Sequence, residues 1–216
     1  MASTWNPSDK DASITLSNGN LTATGTTAAY RSARGTDAYS TGKYHVEFRM
    51  DNAANWGAAS AGLAASTAPL NNYLGLAGGK SLGTYRATGP LAIIYFNEAH
   101  QYTFSTQSMA NGSVVAFEID FGGGLLWAAL DADNWNNSGT ANPATGTGGF
   151  DISAILAAGP MFPAMTSNAN NDAVTLRTKA ADFTRAVSSG FSAWEPAGLA
   201  LPFRTPQQAY QHMMIR

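Results

Sequence analysis

The sequence predicts an all-β protein, an antiparallel two-sheet sandwich of jelly-roll type with a short C-terminal arm. Three observations predict it. Apolar and polar residues alternate with a period of two in many short segments, which gives each segment one core-facing side. Turn signals fall between these segments: Asn-Gly at 18–19 and 111–112, and Gly-Pro at 89–90 and 159–160. The length of 216 residues is ordinary for one such domain, which can bury roughly 70% of its unfolded surface.

The elements follow in order. Residues 1–27 hold an N-terminal strand segment of the sandwich, with strands expected at "SITLS" and "NLTAT". In "GKYHVEFRM", Tyr44, Val46, Phe48 and Met50 share one face and Lys43, His45, Glu47 and Arg49 the other. The first set reads as core and the second as solvated. Further strands are expected at "ASAGLAA", "LGTYRA", "LAIIYFN", "YTFST", "FPAMTS" and "AVTLRT". "VVAFEIDFGGGLLWAALD" reads as a hairpin whose three glycines form the loop. That register sets Phe121 opposite Leu125, Ile119 opposite Trp127 and Phe117 opposite Ala129. Only "DISAILAAG" has helical character, with Asp151 or Ser153 as cap and Gly159 as stop. The sandwich proper spans 28–195. The arm, 196–216, carries Pro196, Pro202 and Pro206 before a short amphipathic stretch. There Tyr210, Met213 and Met214 share a face and Phe203 precedes them. So short a helix is marginal alone, so the arm is expected to dock, on its own domain or on a partner subunit.

Composition excludes several function classes. With no cysteine, disulfides and thiolate metal sites are excluded. The start "MASTWNPSDKDAS" has no basic and apolar leader, so synthesis in the cytoplasm without a signal peptide is expected. The longest apolar runs fall far short of the roughly 20 residues of a membrane helix, so no membrane insertion is expected. Charged residues make up 12% of the chain, against about 25% in a typical domain. The 12 Lys and Arg are scattered, which argues against nucleic acid. A surface wetted by uncharged Ser, Thr, Asn and Gly loses little on desolvation against another protein or a glycan.

Seven segments in order carry a resemblance: "TGKYHVEFRM", "ASAGLAA", "YLGLAGGKSLGTYRATG", "SVVAFEIDFGGGLLWAAL", "GTANPATGTGGFDISAILAAGPMFPAMT", "AVTLRTKAADF" and "SSGFSAW". From about Tyr30 to Trp194 the chain resembles a SPRY domain, in the version found in bacterial and bacteriophage proteins. The resemblance implies a bent concanavalin A-like sandwich used for binding, without catalysis and without cofactors. It implies a virion setting, on a tail, fibre or capsid surface, with other virion proteins as partners and homo-oligomers open. A host glycan or receptor and a cytoplasmic peptide are the alternative ligands. The hairpin departs from the family's frequent "DLDNG", having Asp120-Phe121 and three glycines, and "LRTKAADF" stands where "LNFG" is frequent.

Three constellations were weighed for chemistry. Glu118 and Asp120 share a strand face as in sandwich-fold glycoside hydrolases, but glycines at 122 and 123 leave no second acid for proton donation. Asp131, Asp133 and Asn137 offer oxygens for calcium, yet Asn136 and Asn142 stand where a calcium loop needs Gly and Glu. The histidines at 45, 100 and 212 have no ligand spacing, so no metal site is expected. The remaining candidate is "NWNNSGTANPATGTGGF". Trp135 with Asn134, Asn136 and Asn137 offers a ring to stack on a sugar and amides for its hydroxyls, or a tied connection built from ordinary turn residues. Tyr73, Tyr85 and Arg86 are further contact candidates near loops, beside Tyr30, Arg31, Tyr39 and Trp56.

Overall fold

The computed structural model describes residues 2–52, 59–76, 78–86 and 91–195. Two antiparallel sheets face each other. One has seven strands in the order β1 (Trp5–Lys10), β4 (Arg31–Gly35), β13 (Met161–Ser167), β6 (Ser60–Ala65), β7 (Ser81–Arg86), β8 (Ala92–Phe96) and β9 (Ala99–Ser105). The other runs β12 (Phe150–Asp151), β11 (Leu125–Leu130), β10 (Val114–Asp120), β5 (Lys43–Asn52), β14 (Ala173–Arg177), β3 (Thr22–Gly25) and β2 (Ile14–Ser17). A two-residue β15 (Ser192–Ala193) joins β5 in parallel. Among the described residues the one α-helix is the short α1, Ser153–Leu156, with the Asp151 carboxylate accepting the Ser153 amide at 2.9 Å. All-β architecture and antiparallel pairing are as expected.

The core lies between the sheets and gathers Val46, Phe48 and Met50 of β5, Phe117 and Ile119 of β10, and Leu63, Leu82 and Ile94 from the opposite sheet. Trp5 and Trp194 are among its largest fully buried side chains, whereas Trp127, also fully buried, lies on the outer face of β11. Trp194 plugs one end against Tyr39, Tyr44 and Phe121, with ring centroids 5.0, 5.6 and 5.9 Å away.

Two expectations are corrected. The hairpin loop holds four residues, Phe121 to Gly124, and Asp120 pairs with Leu125. Ile119 therefore opposes Leu126, Phe117 opposes Ala128, and Trp127 opposes Glu118 on the outer face. A one-residue slip exchanges faces, and this register keeps Leu126 in the core with Ile119. The Asp120 carboxylate accepts the Gly123 amide at 2.9 Å, which fixes the longer loop. The second correction concerns β5. Its alternation is as predicted, but His45 and Glu47 are fully buried rather than solvated, because residues 178–194 lie across them.

Besides the two-residue β12 and β15, two longer strands have no counterpart among the expected segments. β1 contains Pro7 and sits at a sheet edge, where a missing amide costs nothing. β4 buries Arg34, which grips Asp9 of β1 through two hydrogen bonds of 2.8 and 2.7 Å and donates to the Ala68 carbonyl at 2.7 Å.

Candidate functional site

On the outer face of the seven-stranded sheet, alternation along β7 and β8 turns Leu82, Ala92 and Ile94 into the core and Tyr85, Ile93 and Tyr95 away from it. Tyr85 stands opposite Ile93, and Gly83 opposite Tyr95. Gly83 leaves room for the segment before β7 to settle on the sheet: a Cβ there would lie 2.8 Å from Leu74 Cβ. That segment is pinned at several points. Ser32 Oγ donates to the Asn72 carbonyl at 2.7 Å, the Leu74 amide donates to Thr166 Oγ1 at 3.2 Å, and Tyr85 Oη donates to the Leu74 carbonyl at 2.9 Å.

The result is a cavity of about 370 Å³ lined by Tyr30, Tyr73, Tyr85, Ile93 and Tyr95. Its rings are neighbours, with centroids 5.2 Å apart for Tyr30–Tyr73, 6.2 Å for Tyr73–Tyr95 and 5.6 Å for Tyr85–Tyr95. Tyr30, 36% accessible, is the exposed large hydrophobic residue of the described surface. Burial pushes the Tyr85 and Tyr73 hydroxyls above their ordinary pKa, so both are neutral donors at physiological pH. Among the described residues the lining offers apolar ring area and phenol hydroxyls, with the Glu98 carboxylate acting on Tyr73 from nearby.

Of the sequence candidates, the structure therefore brings Tyr30, Tyr73 and Tyr85 together. Arg86 follows Tyr85 in β7 and pairs with Ala92 through the main chain. Trp56, Phe203, Tyr210, Met213 and Met214 lie outside the described residues. Tyr39 is turned inward, stacked on Tyr44 at 3.8 Å, and burial raises its hydroxyl pKa to about 12. Tyr95 was passed over because "LAIIYFN" reads as an apolar strand. The usable signal was its place two residues after Ile93, on the face opposite Ile94.

The Trp135 loop is built differently. Trp135–Asn137 form one 3₁₀ turn, with Asn136 at φ 53. The Asn136 side chain is buried and bonded at both ends, as described below. Trp135 is half-buried, with the Arg185 guanidinium 4.5 Å above its ring and His45 edge-on at 6.2 Å. Asn134 and Asn137 are exposed. The carboxylates considered for calcium are engaged in the fold: Asp131 accepts the Val114 amide, and Asp133 accepts from Ser105 and from Gln107.

A third cluster was missed altogether. His45 Nδ1 lies 3.0 Å from Glu118 Oε1 and its Nε2 3.5 Å from Glu47 Oε1. Glu47 also accepts the Thr184 and Arg185 amides at 2.9 Å, and Arg177 approaches it at 3.4 Å. Phe183 covers the imidazole at 4.4 Å. Burial disfavours the charged ring, but the hydrogen bonds it donates to Glu118 and Glu47 outweigh this and raise the His45 pKa. For Glu47, burial is likewise outweighed, by His45 and by the Thr184 and Arg185 amides, and its pKa is lowered.

The fold is that of a SPRY-like β-sandwich. The solved structures it is similar to include the SPRY domain of human HERC1, at 14% identity and a TM-score of 0.60, covering 80% of this chain and 96% of that one. They also include the TRIM65 PSpry domain, at 14% identity and 0.60, covering 83% and 93%. Stonustoxin is similar at 14% identity and 0.58 over 81% of this chain, which corresponds to 28% of the toxin chain. No family model matches the sequence, and no curated protein sequence does.

Proposed function

We propose that the chain is a non-catalytic binding module that takes an uncharged, extended segment of a partner protein into the tyrosine cavity. The observation that carries this reading is the cavity: four tyrosines and Ile93 converge on about 370 Å³, with no charged side chain among the described lining residues. Tyrosine presents large rigid area at little entropic cost and a hydroxyl that can pair with a peptide backbone. Aromatic-lined grooves of this kind suit extended, proline-containing segments. The acid–imidazole cluster, by contrast, has all three side chains fully buried and engaged in holding residues 178–194. The 14%-identical neighbours support the fold, and the sequence resemblance supports the binding role.

The finer setting we propose is a bacteriophage particle surface, where the domain docks onto other virion proteins and residues 196–216 attach it. The resemblance and the sparse charge support this. A glycan on the Trp135 loop has weaker support, since Asn136 is bound inside and Arg185 stacks on the Trp135 ring.

The test is NMR titration of the full chain with an extended Pro- and aromatic-containing peptide set, alongside a panel of oligosaccharides. Saturable shifts of the Tyr30, Tyr73 and Tyr95 ring signals with peptide, lost in Tyr73→Ala, are expected. Shifts confined to Trp135 with a sugar, or no response to any peptide, would reject the reading. Recovery of the chain in purified phage particles checks the setting.

A further inference from the structure

We propose that residues 178–194 form a strap with an open state of its own, held shut by His45 in its doubly protonated form, wedged between Glu47 and Glu118. This goes beyond the cavity reading and does not depend on it.

The geometry begins with the imidazole. Both ring nitrogens face carboxylate oxygens, at 3.0 Å from Glu118 and 3.5 Å from Glu47. A neutral ring carries one N–H, so its bare nitrogen would turn a lone pair on a carboxylate. The two contacts are satisfied together only by the imidazolium. The same carboxylates tie down the strap. Glu47 accepts the Thr184 amide and hydroxyl and the Arg185 amide, and Glu118 Oε1 accepts the Ser188 amide at 2.8 Å. Glu118 Oε2 is buried without a hydrogen-bond partner, so Glu118 depends on the His45 cation. Removing the proton leaves two buried anions on neighbouring strands with only a neutral ring between them.

The other charges that face the site do not replace that cation. Arg177 of β14 lies 3.4 Å from Glu47 only. Arg185 of the strap acts on Glu118 and Glu47 through space, but its hydrogen bonds go to the Asp131 and Asp133 carbonyls, and it moves with the strap. On β5 and β10, Lys43 is paired with Asp120, and Arg49 with Asp51.

The strap has the makings of a separate opening unit. Thr178 and Trp194 at its ends are buried, whereas no residue from 179 to 193 is. Its apolar contacts between those anchors are few: Phe183 on His45, and Phe191 edge-on to Trp127 at 6.1 Å. Segments with few buried apolar contacts open locally below the global unfolding energy. Opening would bare the Trp127 and Trp135 rings together with His45, Glu47 and Glu118, a second face quite unlike the tyrosine cavity.

The sign follows from the imidazole. A group whose pKa is raised by folding stabilises fully below its unfolded value, and the gain is lost as pH rises through the raised value. Closure is therefore lost on the alkaline side through His45. Glu47, with its lowered pKa, sets a separate acid limb.

Amide exchange of the full chain, corrected for its intrinsic pH dependence, tests this alongside the His45 ring signals. As His45 titrates, Thr184, Arg185 and Ser188 should lose about tenfold protection per unit of pKa shift, while Val46 and Phe117 keep theirs. His45→Gln should open the strap at neutral pH, and adding Glu118→Gln should restore much of the protection. Strap protection that is flat through the His45 titration, or that is lost only together with the core amides, overturns the proposal. The pH series on the unaltered chain decides it even where His45→Gln fails to fold.

Discussion

The Asn136 side chain pairs with the Ala128 backbone as a neighbouring strand would: its carbonyl oxygen accepts the Ala128 amide at 2.7 Å. Its amide nitrogen donates to the Leu126 carbonyl at 3.1 Å and to the Gly148 carbonyl at 2.8 Å. The side chain thus extends the sheet beyond the two residues where β12 pairs with β11. Asn136→Ala leaves a buried donor and two acceptors unpaired, and each such group costs about 1–3 kcal/mol. A loss of about 3 kcal/mol in urea unfolding is expected, with Asn136→Asp no better, since a carboxylate cannot donate to the two carbonyls.

Gly83 decides whether the cavity exists. A Cβ there meets Ser60 Oγ at 2.5 Å, Leu74 Cβ at 2.8 Å and the Tyr85 ring at 3.0 Å. Gly83→Val should cost about 1–3 kcal/mol by overpacking and displace the Leu74 segment, so that peptide response at Tyr73 and Tyr95 disappears while the core amides stay protected.

Arg34 fastens the edge strand β1. Arg34→Met preserves most of the volume but strands the Asp9 carboxylate and the Ala68 carbonyl. Asp9 is partly exposed, which softens the penalty to about 2 kcal/mol. Exchange should rise at the amides of Trp5 and Lys10 well before the central strands respond.

The buried tyrosines predict an alkaline limb. Tyr39 has its pKa raised to about 12 by burial and by the neighbouring Tyr44, Asp37 and Glu195. Its neutral form is favoured by the fold, so the associated stability is whole below the ordinary tyrosine pKa of about 10 and falls as pH climbs towards 12. Ultraviolet titration should show Tyr39 and Tyr85 ionising after the exposed tyrosines, and Tyr39→Phe should remove one step.

Much of this was legible because alternation is a local property. Tyr44 to Met50 and Val115 to Ile119 announce their core face through side-chain chemistry alone. What covers the opposite face is not local. Nothing in "KAADFTRAVSSGFS" has a period that would place it over His45 and Glu47, and the charge pattern of β5 alone marks that face as wet. β4 escaped for a related reason: Arg34 is polar in sequence and buried only because Asp9 comes to meet it. The tyrosine site was half visible. Tyr30, Tyr73 and Tyr85 stood out beside turns, whereas Tyr95 lay hidden in an apolar run, and the four meet only through the sheet order and the segment pinned over Gly83.

Taking Glu47, Glu118 and Arg34 indoors strips ionisable groups from an exterior that had few to begin with. Such a molecule casts little long-range field, so a partner finds it by unsteered diffusion, at about 10⁵–10⁶ M⁻¹ s⁻¹. Added salt should leave that encounter rate nearly flat. Its selectivity is then exercised after collision, in how long a fitting partner stays.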